Sequence, residues 1–584
     1  MKKLVKYLKG YEKETILAPL FKMLEAFFDL LVPLVVADII DVGITSGNMQ
    51  YILIRVFLMI ALAALGLASS ITAQFYAAKS SVGFATKLRQ VTFDHIQSLS
   101  YTEIDTLGTS TLVTRLTSDI NQTQNGLNMA LRLLLRSPFI VFGSMVMAFT
   151  IDFKSALVFA VSIPVLGVVV YGIILICIPL YKKAQSRLDA VTELTRENLT
   201  GVRVIRAFCK EEDEIADFDE KNTALTKMNE FVGSISALMN PLTFLLINIA
   251  TIILIKTGAL QVNLGAIQQG DVVALYNYMA QMIIELVKLA NLIVTINKGV
   301  ACAERVSAIL DVKSSMEYKN ASAAGSDGSG VVRFDHVSFK YAGAGENAIS
   351  SIDFEALKGQ TIGIIGGTGS GKSTLVNLIS RFYDATEGTV SIDGIDVKDY
   401  AKGELIEKIG VVPQKAVLFK GTIRENMRWG KEDATDEEIW QALETAQAKE
   451  VVLGKSGKLD FVIEQGGKNL SGGQRQRLTI ARALVKRPEI LILDDSASAL
   501  DFATDAALRK AIAGMGNGIT TFIVSQRTSS IMHSDNIIVL EDGEMIGKGT
   551  HSELMESSQT YREIYYSQFP EERPENKKTE EAMA

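Results

Sequence analysis

The sequence predicts a multi-domain chain, a six-helix all-α transmembrane domain followed by an α/β domain of phosphate-loop type. Three observations carry this. Six apolar runs, each near the ~20 residues a helix needs to cross hydrocarbon, fill the part of the 584-residue chain before residue 315. Beyond residue 331 they give way to short apolar or β-branched segments alternating with helical stretches, the pattern of a mixed α/β domain. Between the two lies Asn320–Gly330, rich in Ala, Gly and Ser, which reads as a flexible linker. The expected boundaries are 1–315, a linker at 316–330, a second domain at 331–569, and 570–584, a charged segment expected to form a disordered tail.

Met1–Tyr11 places Lys2, Lys3, Lys6 and Lys9 among Leu4, Val5, Tyr7 and Leu8. Such a basic amphipathic segment is expected to lie along the inner membrane surface as an elbow helix. Glu12, Lys13 and Glu14 then separate it from the first apolar run, and no small-residue cleavage site follows, so a signal peptide is the weaker reading. The six runs are 15–42, 52–75, 127–151, 155–181, 232–260 and 272–296. Pro33, Pro164 and Pro241 sit within them and mark candidate kinks. The connections 43–50 and 262–270 contain no Lys or Arg, whereas 79–136 and 182–227 contain many. The positive-inside rule then puts the long connections, both termini and the second domain in the cytoplasm of a cell whose membrane the chain crosses repeatedly. The segments 83–125 and 183–229 keep helical periodicity, so they read as membrane helices running roughly 30 Å or more beyond the bilayer at 1.5 Å per residue. Ser100–Leu107 and Phe208–Phe218, at their tips, are candidate contacts for a cytoplasmic domain.

Bulk composition agrees. Hydrophobic residues make up 48% of the chain while its net charge is −7, which favours a membrane over a nucleic-acid partner. Cys177, Cys209 and Cys302 are too few and too scattered for a disulfide framework or a zinc site. The four histidines are equally dispersed.

Ionisable and amide side chains inside apolar runs are costly, and usually face protein or a water-filled cavity. Lys22, Glu25 and Asp29 share one face of the first helix, and Asn277, Gln281, Glu285 and Lys288 form a stripe down the last. Glu25, Asp29, Asn277, Gln281 and Glu285 are candidates for a substrate cavity, in which Asp29 and Glu285 would favour cationic or amphipathic cargo. Internal pairing of Glu285 with Lys288 and of Lys22 with Glu25 is the competing reading.

In the second domain the chemistry is denser. Gly366-Gly367-Thr368-Gly369-Ser370-Gly371-Lys372-Ser373-Thr374, set between a strand-like run and a helix-like one, is the G-x-x-x-x-G-K-S phosphate loop. Its glycines let backbone N–H groups converge on a polyphosphate, and the helix N-terminus behind them adds partial positive charge. Lys372 reaches the outer phosphates and the Ser373 hydroxyl is placed to ligate Mg²⁺. The chain therefore reads as a binder of ATP or GTP. Ile490–Leu493 is a buried-strand pattern ending in Asp494 and Asp495, and Asp494 is the expected holder of Mg²⁺.

Leu470-Ser471-Gly472-Gly473-Gln474 opens the helical run that precedes that strand. With the phosphate loop, Gln414, the Asp494 strand and Ser498-Ala499-Leu500-Asp501 in this order, the chain resembles an ABC exporter half-transporter over almost its whole length. The resemblance implies ATP and Mg²⁺ as cofactors, Tyr341 stacking on adenine, and Gln414 contacting Mg²⁺ and the attacking water. It also implies that Ser471, Gly472, Gly473 and Gln474 complete an ATP site on a second subunit.

Two positions depart from the family pattern. Asp495 stands where hydrolysing members have Glu, and Gln526 where they have a switch His. A carboxylate must come within about 2.6–3.2 Å of the water it polarises, and Asp is one methylene short. Misplacement by about 1 Å costs on the order of 100-fold. Gln526 hydrogen-bonds but cannot take up a proton as imidazole does. Asp495 and Gln526 therefore predict a site that binds ATP and hydrolyses it poorly. The pattern most closely resembles the degenerate-site subunit of bacterial heterodimeric multidrug exporters, whose partner half-transporter supplies the catalytic Glu and switch His. The cargo expected is hydrophobic or amphipathic: drug-like molecules, lipids or peptides. A nucleotide-gated regulatory or channel-like membrane protein is the alternative; a soluble ATPase acting on nucleic acid conflicts with the six apolar runs.

Overall fold

The structure, a computed structural model, describes residues 2–319, 331–401, 403–515 and 518–573. Of the linker expected at 316–330, residues 320–330 lie outside the described residues, as do residues 574–584 of the expected tail, while Met316 is buried and the Glu317 carbonyl accepts from Arg381, so 316–319 are packed rather than flexible. By its packing the chain divides into two units, one of residues 1–97 and 110–312, the other of residues 98–109 and 313–584.

The first unit is all-helical. Lys2–Leu8 forms a 3-10 helix whose Leu4 is buried and whose Lys3 Nζ lies 2.7 Å from Asp311 Oδ2. Then come α1 (Glu12–Asp38) and α2 (Met49–Ser98), and, beyond α3 (Tyr101–Leu107) of the other unit, α4 (Thr109–Thr114), α5 (Ile120–Leu133), α6 (Arg136–Ile151), α7 (Phe153–Ala207), α8 (Glu211–Ala237), α9 (Met239–Asn263) and α10 (Gln269–Asp311). α2 has 50 residues and α7 has 55; at 1.5 Å per residue they run about 75 and 83 Å, well past the ~30 Å of hydrocarbon. The charged connections are thus continuations of the apolar helices. Pro33 and Pro164 lie inside α1 and α7, while Pro241 sits in the first turn of α9, just after α8 ends.

Among the described residues, five helical stretches are long and apolar enough to cross a membrane: 49–98, 109–151, 153–207, 211–263 and 269–311. By length and composition this accounts for five of the six spans expected from the sequence. α1 has the length, at 27 residues, but Lys22, Glu25 and Asp29 interrupt its apolar run. Ala, Leu and aromatic side chains of α1, α6, α7, α9 and α10 build the core, with Phe159, Leu254, Leu275 and Tyr278 fully buried. α5 and α10 approach so closely that a Cβ on Gly299 would stand 3.0 Å from the Gly126 Cα.

The second unit holds a six-stranded sheet and a four-stranded one. The first strand, β1 (Val332–Phe339), carries a bulge at Asp335–His336 that interrupts the alternation without ending the strand. β2 (Ile349–Ala356), β1, β4 (Glu387–Ile392) and β5 (Ile395–Asp396) form the antiparallel sheet in the order β2-β1-β4-β5. β3 (Thr361–Gly366) leads through the phosphate loop into α11 (Lys372–Ile379). A helical stretch follows, with α12 (Glu404–Lys408), α13 (Ile423–Arg428), α14 (Asp436–Thr445), α15 (Lys449–Leu453) and α16 (Gly472–Val485), and with β6 (Ile409–Val412), β7 (Gly421–Thr422) and β8 (Val462–Ile463) between them. The chain returns to the large sheet with β9 (Ile490–Asp494), α17 (Phe502–Ala513), β10 (Thr520–Val524), α18 (Thr528–Ile531), β11 (Asn536–Glu541), β12 (Glu544–Gly549), α19 (His551–Ser557) and α20 (Gln559–Gln568). Its order is β12-β11-β3-β10-β9-β6, parallel except for β12.

Two apolar cores flank the large sheet. One lies against the antiparallel sheet, around Phe334, Phe354, Ile364, Leu375 and Phe522; the other lies under the helices, around Ile423, Leu478, Leu484, Leu491 and Val539. β3, β9 and β10 are buried along nearly their whole length, as parallel strands covered on both faces must be. Their C-terminal ends carry the polar groups described next. The first residues of the expected tail, Pro570–Glu572, form a 3-10 turn in which Glu572 accepts a 2.7 Å hydrogen bond from the Tyr565 hydroxyl.

Candidate functional site: a nucleotide pocket at the carboxyl ends of the parallel strands

Open parallel sheets bind ligands outside the carboxyl ends of their strands, and β3, β9 and β10 end together there. The loop after β3 makes its last turn at Gly371, with φ +91°, where a Cβ would stand 2.6 Å from the Ala348 carbonyl oxygen. Only glycine fits there. Lys372 folds back over the loop, donating to the carbonyls of Gly366 at 3.0 Å and Gly367 at 2.5 Å and to Ser370 Oγ at 3.3 Å. Its ammonium is buried, which pushes its pKa down despite the carboxylates of Asp495 and Asp494 nearby. The Ser373 hydroxyl donates to Asp494 Oδ1 at 3.0 Å. Burial pushes the Asp494 carboxyl up, only partly offset by that hydrogen bond.

These groups line one cavity of about 280 Å³ together with Tyr341, Thr368, Gly369, Thr374, Gln414, Asp495 and Gln526. The Tyr341 hydroxyl shares a 3.0 Å hydrogen bond with Thr374 Oγ1. Gln414 Nε2 donates to Asp495 Oδ2 at 3.3 Å, so these two residues are direct neighbours. The residues present fit Mg²⁺ and a nucleoside triphosphate. The buried Asp494 carboxylate and the Ser373 hydroxyl, both oxygen donors suited to a hard cation, meet at the N-terminus of α11 beside the Lys372 ammonium. Ser373, Asp494 and Gln414 would hold the metal, which would draw charge from the outer phosphates.

Comparisons with known proteins agree with this geometry. Residues 15–286 match the ABC transporter transmembrane region and residues 349–498 match the ABC transporter family model. The chain is 37% identical over 576 residues to the ABC transporter ATP-binding protein YfiB of Bacillus subtilis (strain 168), covering 99% of this chain and 100% of that one. This chain belongs to the ABC transporter family. It is also 32% identical over 476 residues to the ATP-dependent lipid A-core flippase of Desulfotalea psychrophila (strain LSv54 / DSM 12343), covering 82% and 83% of the two chains. The structure of a bacterial Atm1-family ABC exporter with ATP bound shares its fold, with a TM-score of 0.77 over 95% of this chain and 98% of that one, at 23% identity. It is an ABC half-transporter, with one membrane domain followed by one ATP-binding domain.

Not every residue named from the sequence enters the pocket of this ABC half-transporter. Ser471, Gly472, Gly473 and Gln474 form the N-terminus of α16, away from the cavity lining. Ser471 caps the helix by accepting from Gln474 N at 3.3 Å, and Gln474 Oε1 accepts from Ser471 N at 3.2 Å. The α3 segment packs with the ATP-binding unit, whereas Phe208, at the turn between α7 and α8, stands 73% exposed.

The membrane residues form a network that the sequence reading only half described. Lys22 pairs with Glu25 at 2.5 Å and Lys288 with Glu285 at 2.9 Å, the internal pairing weighed above. Its centre, however, is Arg136. Its Nη1 reaches Glu285 Oε1 at 2.6 Å, its Nη2 reaches Asp29 Oδ2 at 3.1 Å and its Nε lies 3.7 Å from Glu25 Oε1, while Ser137 donates to Glu285 Oε2 at 2.8 Å. Gln281 Nε2 points to the Asp29 carbonyl at 3.5 Å, and Asn277 lies half-buried one turn earlier on α10. Three cations thus face three carboxylates, so the acidic residues do not by themselves make a negative cavity. Arg136 escaped notice because it closes a charged stretch. The signal was its place directly before Ser137-Pro138 and an apolar run.

Proposed function

We propose that this chain is the degenerate-site subunit of a heterodimeric ABC exporter that moves hydrophobic or amphipathic compounds, drug-like molecules or lipids, out of the cell. Its own phosphate loop and Asp494 bind Mg-ATP, with Tyr341 stacking on the base, and hold it as a long-lived clamp. Ser471, Gly472, Gly473 and Gln474 complete the competent site of a partner half-transporter that carries the catalytic Glu and switch His. The chain sits in the cell membrane with both termini and the ATP-binding domain in the cytoplasm. α1 serves as a sixth span, since the network around Arg136 balances its charges and removes much of their cost in hydrocarbon.

The observation that supports this reading most is the composition of the pocket's far end. The groups for phosphate and Mg²⁺ line one cavity with Asp495 and Gln526, the two residues that on this reading would face the attacking water and the γ-phosphate. The amphipathic character of lipid A, named for one relative, fits the cargo class. Purified chain alone is expected to bind Mg-ATP and turn it over slowly, and Asp495→Glu with Gln526→His to raise turnover by on the order of 10–100-fold. Brisk ATPase and unaided transport by the lone chain in vesicles would defeat the heterodimer reading. Equilibration of cargo without accumulation, when the partner is present, would instead favour a nucleotide-gated pore.

A further inference from the structure

One residue beyond the phosphate-loop helix, the segment Arg381-Phe382-Tyr383-Asp384 makes contacts that ATP binding does not use. α11 ends at Ile379 and the chain turns at Arg381, with φ +50°. The buried guanidinium pins that turn: its Nε pairs with Asp384 Oδ1 at 2.9 Å, its Nη2 donates to the Glu317 carbonyl at 2.8 Å, and it lies 4.9 Å over the Tyr318 ring. The next two side chains are thereby presented to α3. The Phe382 ring centroid is 4.9 Å from that of Tyr101, and the Tyr383 hydroxyl donates to Asp105 Oδ2 at 2.6 Å. Burial and the Asp105 carboxylate push the Tyr383 phenol up, which keeps it a neutral donor.

On its other side the Tyr383 ring meets Tyr341 edge-on, at 5.3 Å between centroids and 81° between planes, and lies 5.4 Å from Phe339. Tyr341 in turn lines the nucleotide cavity and is tied to Thr374 in the first turn of α11. A base stacked on Tyr341 fixes that ring, and a T-shaped contact between close-packed rings leaves little freedom to move one without the other. Tyr383 cannot shift without stretching its bond to Asp105. α3 follows the 50-residue α2 after only two residues.

We propose that Tyr383 is a positioning residue that ties α3 to the occupancy of the base face of Tyr341, so that α3 is held differently with adenine nucleotide bound than without it. This rests on the reading that Tyr341 stacks the base. Coupling of this kind is reciprocal, so cutting the bond to α3 also changes the affinity for ATP.

Amide hydrogen exchange of residues 101–107 in the full-length chain, in lipid nanodiscs, tests the proposal. Samples carry no nucleotide, Mg-ATP, or Mg-tripolyphosphate, which fills the phosphate loop without a base. Mg-ATP is expected to change α3 exchange and tripolyphosphate is not, while both protect 366–374. Tyr383→Phe keeps the ring and loses the donor. In it Mg-ATP should still protect 366–374 but leave α3 at its nucleotide-free rate, and ATP affinity should move by about 5-fold or more. Asp105→Ala should behave likewise, whereas Asp105→Asn, which still accepts a hydrogen bond, should keep the response. A merely structural role would shift α3 exchange equally with and without nucleotide. That outcome, or an α3 that follows ATP in Tyr383→Phe as in the unmodified chain, or one that answers tripolyphosphate as it answers ATP, overturns the proposal. Failure of Mg-ATP to protect 366–374 in the unmodified chain sinks the ATP reading, and the proposal with it.

Discussion

The nucleotide pocket and the charge network among the membrane helices are both built from residues that the sequence singles out, yet the two regions are organised differently. In the pocket, groups from β3, α11, β9 and the Gln414 loop converge because the strand ends bring them together, and each is held mainly by partners within its own motif or the neighbouring one. Lys372 is tied to Gly366, Gly367 and Ser370, and Ser373 to Asp494. In the membrane unit, one arginine on α6 gathers carboxylates from α1 and α10, 107 and 149 residues away along the chain. A local motif carries its own geometry. A network of ion pairs has none until the helices pack.

The sharpest test of that difference is Arg136→Ala. It leaves Glu285, 5% exposed, with only Lys288 and Ser137, and removes the cation nearest Asp29. Leaving a buried charge wholly uncompensated typically costs about 3–5 kcal/mol; with Lys288 still 2.9 Å from Glu285, the loss is expected toward the lower end of that range. Thermal unfolding of the full chain should show a large loss. Arg136→Ala combined with Glu285→Gln should recover much of it, since the amide needs no counter-ion. A double variant no more stable than the single one would mean that Arg136 acts through packing rather than charge.

In the pocket the expected effect is smaller and of opposite sign. Asp494 is buried and its carboxyl is pushed up by desolvation. A carboxyl with a raised folded-state pKa is less willing to ionise in the folded chain than in the unfolded one, so without ligand it detracts from stability at neutral pH. That loss fades as pH falls through the raised value. Asp494→Asn should therefore raise the melting temperature of the nucleotide-free chain, and the gain should shrink on acidification. The same change should weaken ATP binding in the presence of Mg²⁺ and leave Mg²⁺-free binding nearly unchanged. A lower melting temperature at neutral pH would show that the Ser373 contact outweighs the burial.

Much of the architecture was legible before the structure because it is written locally. The phosphate loop, the Asp494 strand and the α16 cap are runs of a few residues whose order dictates their shape. The long helices follow from apolar runs that continue into charged ones without a turn signal. What escaped is what depends on partners far along the chain or on weak patterning. β2 mixes Ser and Asp with its apolar positions, and β12, at the sheet edge, buries almost nothing; neither shows a clean hydrophobic run. α1 reads as a span by length but not by charge, and only the position of Arg136 explains how its carboxylates are satisfied. Tyr383 lies in no motif, and its contacts with Tyr341 and Asp105 become visible only once α3 is seen packed in the ATP-binding unit.

Gln568 shows that even the pocket has one long-range tie. From the last turn of α20 its Nε2 donates to the Gln526 carbonyl at 2.8 Å, while its Oε1 accepts from both Thr528 N and Thr528 Oγ1 at 2.9 Å. Thr528 is fully buried, so removing the amide strands a buried donor, which costs about 1–3 kcal/mol. For a unit of this size that is a drop of roughly 2–4 °C in melting temperature per kcal/mol. Gln568→Ala should show this drop together with looser backbone exchange at 525–528. Because Gln526 only borders the cavity, ATP affinity should change by less than about 3-fold, under 1 kcal/mol. Gln568→Glu separates the two halves of the clamp. It keeps an acceptor for Thr528 and loses the donor to Gln526, so stability should largely return while exchange at Gln526 stays fast. If both variants melt with the unmodified chain, α20 does not hold the Gln526 backbone, and the pocket is as self-contained as its motifs suggest.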